Sequence, residues 1–260
     1  MSSETTIETG VQAMLSTVCN EVVALSGLAI LRGPVGIGKT FALQRIKLDL
    51  EEQGVVVVMV TATEATAGNI NAFLRSILGQ YQTTGSSSDA EEAVWEMLAG
   101  NPFLPSGRSV ILIVDEAQKL SGRVLETIRG LWDRGEPARE DYFSGHIYGC
   151  TGRAFGCVMV GNPTFMGKGG AQRVASFEAL ISRLSHNQQL PRPSRKECLE
   201  YAGTIYSAPE LVQELADFGL AQGNLRSMAI ASRNALLRAG DDGVTLSILQ
   251  TVIKMMGGKR

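Results

Sequence analysis

The chain has 260 residues, of which 44% are hydrophobic and 19% charged, and its net charge at pH 7 is −2. This composition is typical of a globular protein of one or two domains, and its charge does not indicate a strongly basic nucleic-acid binder. Apolar runs stay well short of the roughly 18 residues of a membrane span, and Met1–Glu8 is polar and acidic, unlike a signal peptide. We therefore expect a cytoplasmic protein without a membrane partner.

The cysteines give no sign of a metal site. Cys19, Cys150, Cys157 and Cys198 contain no C-x-x-C pair, and the chain has only two histidines to assist them. Zinc sites need closely spaced thiolate and imidazole ligands. Buried reduced thiols are therefore the better interpretation.

The chain begins with a pattern that predicts helix, strand, loop and helix in succession. Apolar residues at helical spacing predict a leading helix within residues 7–26. The apolar run Leu28–Leu31 predicts a strand that enters the loop Gly33–Thr40. A second helix is predicted over Lys39–Glu52, with apolar residues along its length. A strand before this loop and a helix after it are the context that a phosphate-binding motif requires.

Residues 33–40 match the P-loop pattern G-x-x-x-x-G-K-[ST]. Its glycines let backbone N–H groups turn toward a triphosphate, and the following helix N-terminus adds its dipole. Lys39 is expected to reach the β- and γ-phosphates, and the Thr40 hydroxyl to bind Mg²⁺. The predicted nucleotide contacts in this segment are Gly33, Pro34, Val35, Gly36, Ile37, Gly38, Lys39, Thr40 and Phe41.

The next elements continue the alternation of strands and helices. Val55–Val60 is an unbroken apolar run, mostly β-branched, as expected of a parallel strand buried on both faces. Helices are predicted at 66–79 and 89–99, on either side of a polar loop at 80–88.

A third predicted strand, Val110–Val114, ends in the acidic pair Asp115 and Glu116. Nucleotide sites of open α/β sheets lie at the carboxyl ends of the strands. We therefore predict that Asp115 holds Mg²⁺ and that Glu116 polarises the attacking water. An isolated Asp-Glu pair is usually a solvated turn, but the P-loop upstream favours a functional role.

The middle of the chain contains one segment with two open interpretations. A helix is predicted from about Gly122 to Trp132, and residues 135–154 are rich in glycine, polar and aromatic residues. That segment could contact DNA or a partner, or it could be an ordinary surface loop. The strand Cys157–Val160 follows, and Asn162 after it has an amide that can orient a water or contact the γ-phosphate.

The last third of the chain is predicted to be helical. A helix at 171–184 and a short strand at 188–190 precede Pro191 and Pro193, which mark a boundary. Four helices follow, at about 194–206, 208–218, 224–239 and 244–256. The pattern predicts an α/β domain over 1–190, with a central parallel sheet flanked by helices, and a small helical lid over 191–260.

The order of these motifs resembles that of the AAA+ ATPases, and the resemblance covers nearly the whole chain. Residues 33–40 resemble Walker A, residues 111–116 resemble Walker B, and Asn162 resembles the sensor-1 residue. The resemblance implies that ATP is the nucleotide, that Mg²⁺ is the metal and that ATP is hydrolysed to ADP and phosphate.

Two arginines complete this resemblance. Arg183, in Ile-Ser-Arg-Leu before the last predicted strand, lies where AAA+ proteins place the arginine finger that reaches a neighbour's γ-phosphate. Arg173 is the rival for this role. Arg226 opens a lid helix and resembles the sensor-2 arginine, a further nucleotide contact. A site completed by a neighbour implies self-association.

Within AAA+ proteins, three stretches resemble the transposition ATPases typified by the phage Mu B protein and the Tn7 C protein. They are Val114–Leu120, Met159–Pro163 and the segment from Phe177 to Lys196. This resemblance implies a ring or helical filament on double-stranded DNA, selection of the transposition target and stimulation of a partner transposase. The Mu protein has an additional N-terminal DNA-binding domain, for which this sequence leaves no room, and residues 135–154 are longer than the usual link.

Contacts to DNA phosphates need scattered cations rather than a motif. By analogy with ring-forming AAA+ proteins, the candidates are Arg75, Lys119, Arg123 and Arg129, and the alternative for each is an ordinary solvated charge. Two other functions fit the same motifs. One is a helicase-loader or replication-initiation ATPase, and the other is an ATP-switched interaction protein without a DNA role, such as a secretion-associated ATPase.

Overall fold

The structure is a computed structural model that describes residues 7–79, 86–99, 109–142, 153–166 and 177–257, with backbone alone at 135–142 and 165–166. Contacts divide the chain into two compact units. The first unit takes its residues from Met1–Met14, Gly33–Ala42 and Leu190–Arg260. The second unit takes its residues from Leu15–Arg32 and Leu43–Gln189. The boundary after residue 190 that the sequence suggests stays a prediction.

The described part of the second unit contains a parallel sheet of five strands in the order β2-β3-β4-β1-β5. The strands are β1 Leu28–Arg32, β2 Val56–Thr61, β3 Val110–Asp115, β4 Gly156–Gly161 and β5 His186–Gln189. This arrangement confirms the predicted parallel sheet. Because every pairing is parallel, the carboxyl ends of all these strands lie at one edge of the sheet.

Strand β2 is less buried than its sequence predicts. The run of valines favoured a strand covered on both faces, but β2 lies at the edge of the sheet and Val56 is 37% exposed. By contrast, all six residues of β3, one position further in, are buried. A β-branched run therefore predicts the strand correctly but does not determine its place in the sheet.

Helices cover the sheet and supply most of the remaining core. Their bounds are α1 Gly10–Leu25, α2 Lys39–Glu52, α3 Glu64–Ala67, α4 Ile70–Leu78, α5 Ser87–Ala99, α6 Gly122–Tyr142 and, at residues 177–181, α7. Phe73 of α4, Trp95 of α5 and Leu125 of α6 lie in one buried cluster with strand residues such as Leu112. This shared core is what holds the sheet and helices of the second unit together.

Several helix boundaries differ from the predictions, most clearly those of α3, α4 and α6. The region predicted as one helix at 66–79 contains two helices, α3 and α4. Asn69 accepts the Ala72 N–H at 3.0 Å and so caps the N-terminus of α4, which begins a new helix there. Helix α6 continues past Trp132 to Tyr142, so the first part of the segment at 135–154 is helical. Residues 143–152 lie outside the described part of the chain.

The four helices predicted after residue 190 are confirmed, and they form a separate core within the first unit. They are α8 Arg195–Ile205, α9 Pro209–Gln222, α10 Leu225–Ala239 and α11 Leu246–Met255. Met228 of α10 is fully buried beside Gly219 of α9. A Cβ added at Gly219 would lie 2.1 Å from the Met228 sulfur, so the close approach of these two helices requires glycine there.

The Glu197 carboxylate accepts backbone hydrogen bonds at the beginnings of two helices, α8 and α1. It accepts the Ser194 N–H at 2.5 Å, which closes a capping box on α8, and the Gly10 N–H of α1 at 2.6 Å. Burial alone would raise the pKa of Glu197, but the hydrogen bonds from Ser194 and Gly10 outweigh it and hold the pKa below its ordinary value. The ionised carboxylate is therefore the form that stabilises the fold.

The cysteines of the described residues are free. Cys19, Cys157 and Cys198 are buried thiols, in agreement with the predicted reduced state, and Cys150 lies outside the described residues. Burial raises the pKa of the Cys19 and Cys157 thiols to about 12.

Among the described residues, none of the helices combines the length and apolar character that crossing a membrane would demand.

We expect Glu197→Gln to lower the free energy of unfolding by about 1 kcal/mol at pH 7, as loss of a good helix cap does. Because the native pKa is lowered, the stabilisation is present above the ordinary carboxyl value of 4.5 and disappears as the pH falls through the native pKa. Urea unfolding at several pH values measures this, with exposed Glu200→Gln on the same helix as control. A difference from wild type that persists unchanged at acid pH would contradict the assignment.

Candidate nucleotide site

The P-loop follows β1 directly and has the backbone that its glycines permit. Gly36 has φ +83° and Gly38 has φ +95°, both in the region that favours glycine. A Cβ added at Gly38 would have no neighbour within 4 Å, so conformation rather than crowding calls for glycine there. The space beside this part of the loop is open, as a cradle for phosphate groups must be.

Lys39 lies at the centre of this loop. Its side chain is buried, and Nζ donates hydrogen bonds to the carbonyl oxygens of Gly33 at 2.9 Å and Pro34 at 2.7 Å. Helix α2 begins at the same residue, and the Ala42 N–H donates to the Gly38 carbonyl at 2.9 Å. The N–H groups just before Ala42 therefore belong to the first turn, where anions bind.

The beginning of α10 packs on this loop within the first unit. The backbone N–H of Arg226 donates to the Gly36 carbonyl at 3.1 Å. Asn224 caps α10 by accepting the Ser227 N–H at 2.8 Å, and its Oδ1 would lie 3.0 Å from a Cβ added at Gly36. The residue that resembles sensor 2 is thus attached to the P-loop through its backbone. Sequence reasoning missed Asn224, although Asn directly before a helix is a capping signal.

The acidic pair lies at the end of β3, in the second unit. Asp115 is fully buried, and its Oδ1 accepts the backbone N–H of Glu116 at 2.8 Å. Glu116 has φ +55°, a left-handed conformation that costs a non-glycine residue about 1–2 kcal/mol. The strain turns the chain sharply from the strand into the short 3-10 turn Ala117–Lys119.

Gln118 connects Glu116 to the segment after β4. Its Nε2 donates to Oε2 of Glu116 at 2.7 Å, and its Oε1 accepts the backbone N–H of Asn162 at 3.0 Å. The Asn162 side chain accepts the Thr164 N–H at 3.0 Å and so caps the turn that follows. Sequence reasoning named Glu116 and Asn162 but missed Gln118, whose only signal was its place in Asp-Glu-Ala-Gln.

Arg183 lies just after α7 and is paired with Asp133 of α6. Its Nε lies 2.9 Å from each carboxylate oxygen of Asp133. The same carboxylate is also bonded by Arg129, one of the predicted DNA contacts. The hydrogen bond from Arg129 holds the pKa of Glu126 below its ordinary value, and the same bond raises the pKa of Arg129. Arg173, the rival finger, lies outside the described residues.

The other predicted DNA contacts have accessible side chains. Arg75 on α4, Lys119 in the turn after β3 and Arg123 on α6 are all exposed. Arg129 differs from them because its guanidinium is bonded to Glu126 and Asp133. Exposure is what a phosphate contact requires, so the first three are the better placed.

Comparison with known proteins gives a match to one family and to several solved structures. Residues 24–143 match the model of the AAA domain family. The Aeropyrum pernix ORC2 protein, in ADPNP-ADP complexes, is similar with a TM-score of 0.65 and 18% identity, over 97% of this chain and 70% of that chain. The Aeropyrum pernix ORC1 protein in complex with DNA gives a TM-score of 0.56 and 14% identity, over 96% and 66% of the two chains.

A third structure is the replication initiator DnaA bound to AMPPCP and single-stranded DNA, with a TM-score of 0.55 and 13% identity over 91% of this chain and 64% of that chain. Curated protein sequences give no match. Together with the sheet order and the P-loop, these likenesses show that the chain has the fold of the P-loop AAA+ ATPases.

The packing of α10 on the loop predicts different effects for two P-loop glycines. Both Gly36→Ala and Gly38→Ala place a Cβ at positive φ, which costs about 1–2 kcal/mol. Only at Gly36 does the new Cβ also crowd Asn224 and Arg226, at 3.0 and 3.2 Å. We expect Gly36→Ala to lose about 1 kcal/mol more stability than Gly38→Ala in thermal or urea unfolding. Equal losses would contradict the packing.

Proposed function

We propose that this protein is a Mg²⁺-dependent ATPase that assembles through its nucleotide sites and acts on DNA. The nucleotide part of the proposal depends on one observation above all, the loop 33–40 with its positive-φ glycines and buried Lys39. A loop of this kind offers backbone N–H groups, a helix N-terminus and one ammonium, all of which bind phosphate oxygens. An ammonium and N–H donors in this arrangement favour a nucleoside triphosphate over an uncharged ligand.

The donor set is also suitable for Mg²⁺. Thr40 and Asp115 would hold it, and both offer the hard oxygen ligands that the cation prefers. Asp115 is fully buried at the carboxyl end of β3, the edge of a parallel sheet where nucleotide sites lie. Mg²⁺, when bound, supplies positive charge beside the phosphate oxygens.

The hydrolytic roles follow from the chemistry of the remaining side chains. Lys39 binds the phosphates, and Glu116 orients and polarises the attacking water. Gln118 holds the Glu116 carboxylate and thereby sets its direction. Asn162, which Gln118 joins to Glu116 through its backbone, responds to the γ-phosphate as the sensor-1 residue. Arg226 supplies a further nucleotide contact from the beginning of α10.

Self-association follows from the proposed role of Arg183. A guanidinium that neutralises charge on the transferred phosphoryl group strongly accelerates hydrolysis. The Arg183 side chain is one-third exposed at the end of α7, as a residue that serves a neighbouring subunit must be. If Arg183 acts in trans, each site is complete only within an assembly, whether a ring or a helical filament.

Action on DNA is supported by exposed cations and by the similar solved structures. Arg75, Lys119 and Arg123 are exposed, and two of the similar proteins were solved with DNA bound. The three stretches that resemble transposition ATPases favour selection of a transposition target on double-stranded DNA and stimulation of a transposase. The likeness to ORC2, ORC1 and DnaA favours the second candidate, a replication-initiation or helicase-loading ATPase.

We expect Lys39→Ala to abolish nucleotide binding, and Glu116→Gln to retain binding while slowing turnover by about 10²–10⁴-fold, the usual contribution of a general base. Gln118→Met, which keeps the shape but loses both hydrogen bonds, is expected to lower kcat by about tenfold, because it misdirects the base. Fluorescent-nucleotide titration and phosphate release measure the two quantities.

Gln44→Met, on the exposed face of α2, is the matched control for the Gln118 variant and should keep wild-type turnover. Unimpaired hydrolysis by Glu116→Gln would eliminate Glu116 as the base. Wild-type kcat in Gln118→Met would show that the link to Glu116 has no catalytic role.

For DNA, we expect binding to a duplex with ATP or a non-hydrolysable analogue and weaker binding with ADP. Arg75→Ala, Lys119→Ala and Arg123→Ala should each reduce the slope of log K against log salt by about one. Lys47→Ala, whose ammonium lies 3.7 Å from Glu51, is the control and should leave the slope unchanged.

The outcome of this assay also separates the candidate functions. Failure to bind duplex or single-stranded DNA in any nucleotide state would remove both DNA functions and leave the ATP-switched interaction protein. Stimulation of ATP turnover by a transposase favours target selection, whereas stimulation by a replicative helicase favours helicase loading.

A further inference from the structure

One carboxylate of the second unit is surrounded by three guanidinium groups. The Nε–H of Arg183 donates to both carboxylate oxygens of Asp133, each at 2.9 Å, and Arg129 donates a further hydrogen bond to the same carboxylate. Arg153 donates to the backbone carbonyl of Asp133 at 2.9 Å and lies 3.5 Å from its carboxylate. Asp133 is thus the residue that these arginines share, and Arg183 is the one with a proposed catalytic role.

The neighbours of Asp133 fix its position. Arg153 lies over the ring of Trp132 at 4.2 Å, and the buried Trp132 donates from Nε1 to the Ser26 carbonyl at 3.1 Å. Arg129 is held by Glu126, with both carboxylate oxygens 3.0 Å from its Nε. Because its partners are themselves anchored, the Asp133 carboxylate is a fixed acceptor and not an adaptable surface charge.

The hydrogen bonds of Arg183 engage two of its three guanidinium nitrogens, Nε and Nη1. Nε donates to Asp133, and Nη1 donates to the Ala179 carbonyl at 2.8 Å and to Ser182 at 3.3 Å. Among the residues that the structure describes, none accepts a hydrogen bond from Nη2, and the side chain is 32% exposed. Nη2 can therefore donate to another oxygen while Nε stays paired with Asp133.

Charge favours the same interpretation. Among the described residues, the cluster brings the guanidinium groups of Arg129, Arg153 and Arg183 together with the carboxylates of Glu126 and Asp133. A cation held in place before the reaction stabilises developing negative charge better than one that must reorganise.

We propose that Asp133 is the positioning residue of Arg183. It holds Nε of the guanidinium so that Nη2 is free to donate to the γ-phosphate in a neighbouring subunit. This inference rests on the proposed trans role of Arg183. Asp133 itself contacts neither nucleotide nor metal in this scheme, and it acts only through the arginine.

Asp133→Asn preserves the shape of the side chain but removes the charge that holds Arg183. We expect kcat of the wild-type background to fall about tenfold, as expected for a displaced catalytic group, while KM for ATP stays the same. In an Arg183→Ala background the same substitution should change nothing further, because the group that it positions is already absent. Additive losses would show that Asp133 acts by another route and would overturn the proposal.

A mixing experiment tests the direction of the effect between subunits. Lys39→Ala lacks nucleotide binding but offers Arg183, whereas Arg183→Ala binds nucleotide but lacks the arginine. Each variant alone is expected to have turnover far below that of the wild type. An equal mixture should recover about a quarter of wild-type turnover if subunits associate at random through head-to-tail interfaces.

The proposal predicts that Lys39→Ala/Asp133→Asn recovers about tenfold less activity with Arg183→Ala than Lys39→Ala does. Lys39→Ala/Glu92→Gln is the matched control, since Glu92 likewise bonds an arginine of α6, Arg134, and it should recover the full amount. If Asp133→Asn proves too unstable for assembly, Asp133→Glu keeps the charge but displaces it, and the same reduction is expected.

The two proposals fail in different ways. An inactive mixture of Lys39→Ala and Arg183→Ala would refute the trans role of Arg183, and the role of Asp133 with it. An active mixture with full recovery by Lys39→Ala/Asp133→Asn would leave that trans role intact and overturn the positioning role of Asp133 alone.

Discussion

A single residue in a left-handed conformation determines how Glu116, Gln118 and Asn162 of the second unit are arranged. Glu116 follows the fully buried strand β3, and its positive φ turns the chain at once into a 3-10 turn. That turn brings Gln118 back to the Glu116 carboxylate and to the backbone of Asn162. The strain is supported by the Glu116 N–H, which Asp115 accepts, and by the burial of the strand. Local strain of this kind is characteristic of functional sites.

In the first unit, a glycine adopts the positive φ that a sharp turn of the chain requires. Gly36 adopts a positive φ and lies so close to Asn224 and Arg226 that any side chain would crowd them. The loop is therefore shaped on one side by its own backbone and on the other by the capped beginning of α10. A lid helix that bonds the P-loop directly offers a short physical route by which a nucleotide contact could be communicated to the lid.

Most of the fold and the nucleotide motif could be predicted, because their signals are local. Apolar runs and helical spacing identified the strands and the lid helices, and the P-loop pattern identified Lys39 with its glycine turn. Gln118, Asn224 and Asp133 were missed because their importance depends on partners distant in the chain. Asp133 and Arg183 are 50 positions apart, and neither has a local pattern that indicates the other. The edge position of β2 likewise depends on pairing, which valine content does not determine.

The discontinuity of the first unit has a consequence for synthesis of the protein. Gly33–Ala42 belongs to the same compact unit as Leu190–Arg260, and Glu197 bonds Gly10 across 187 positions. At ribosomal rates of about 5–20 residues per second, these partners follow the P-loop by on the order of ten seconds or more. The sheet of the second unit can therefore form before the helices that share a unit with the loop have been synthesised. The loop is thus expected to reach its final packing last, after the sheet of the second unit has formed.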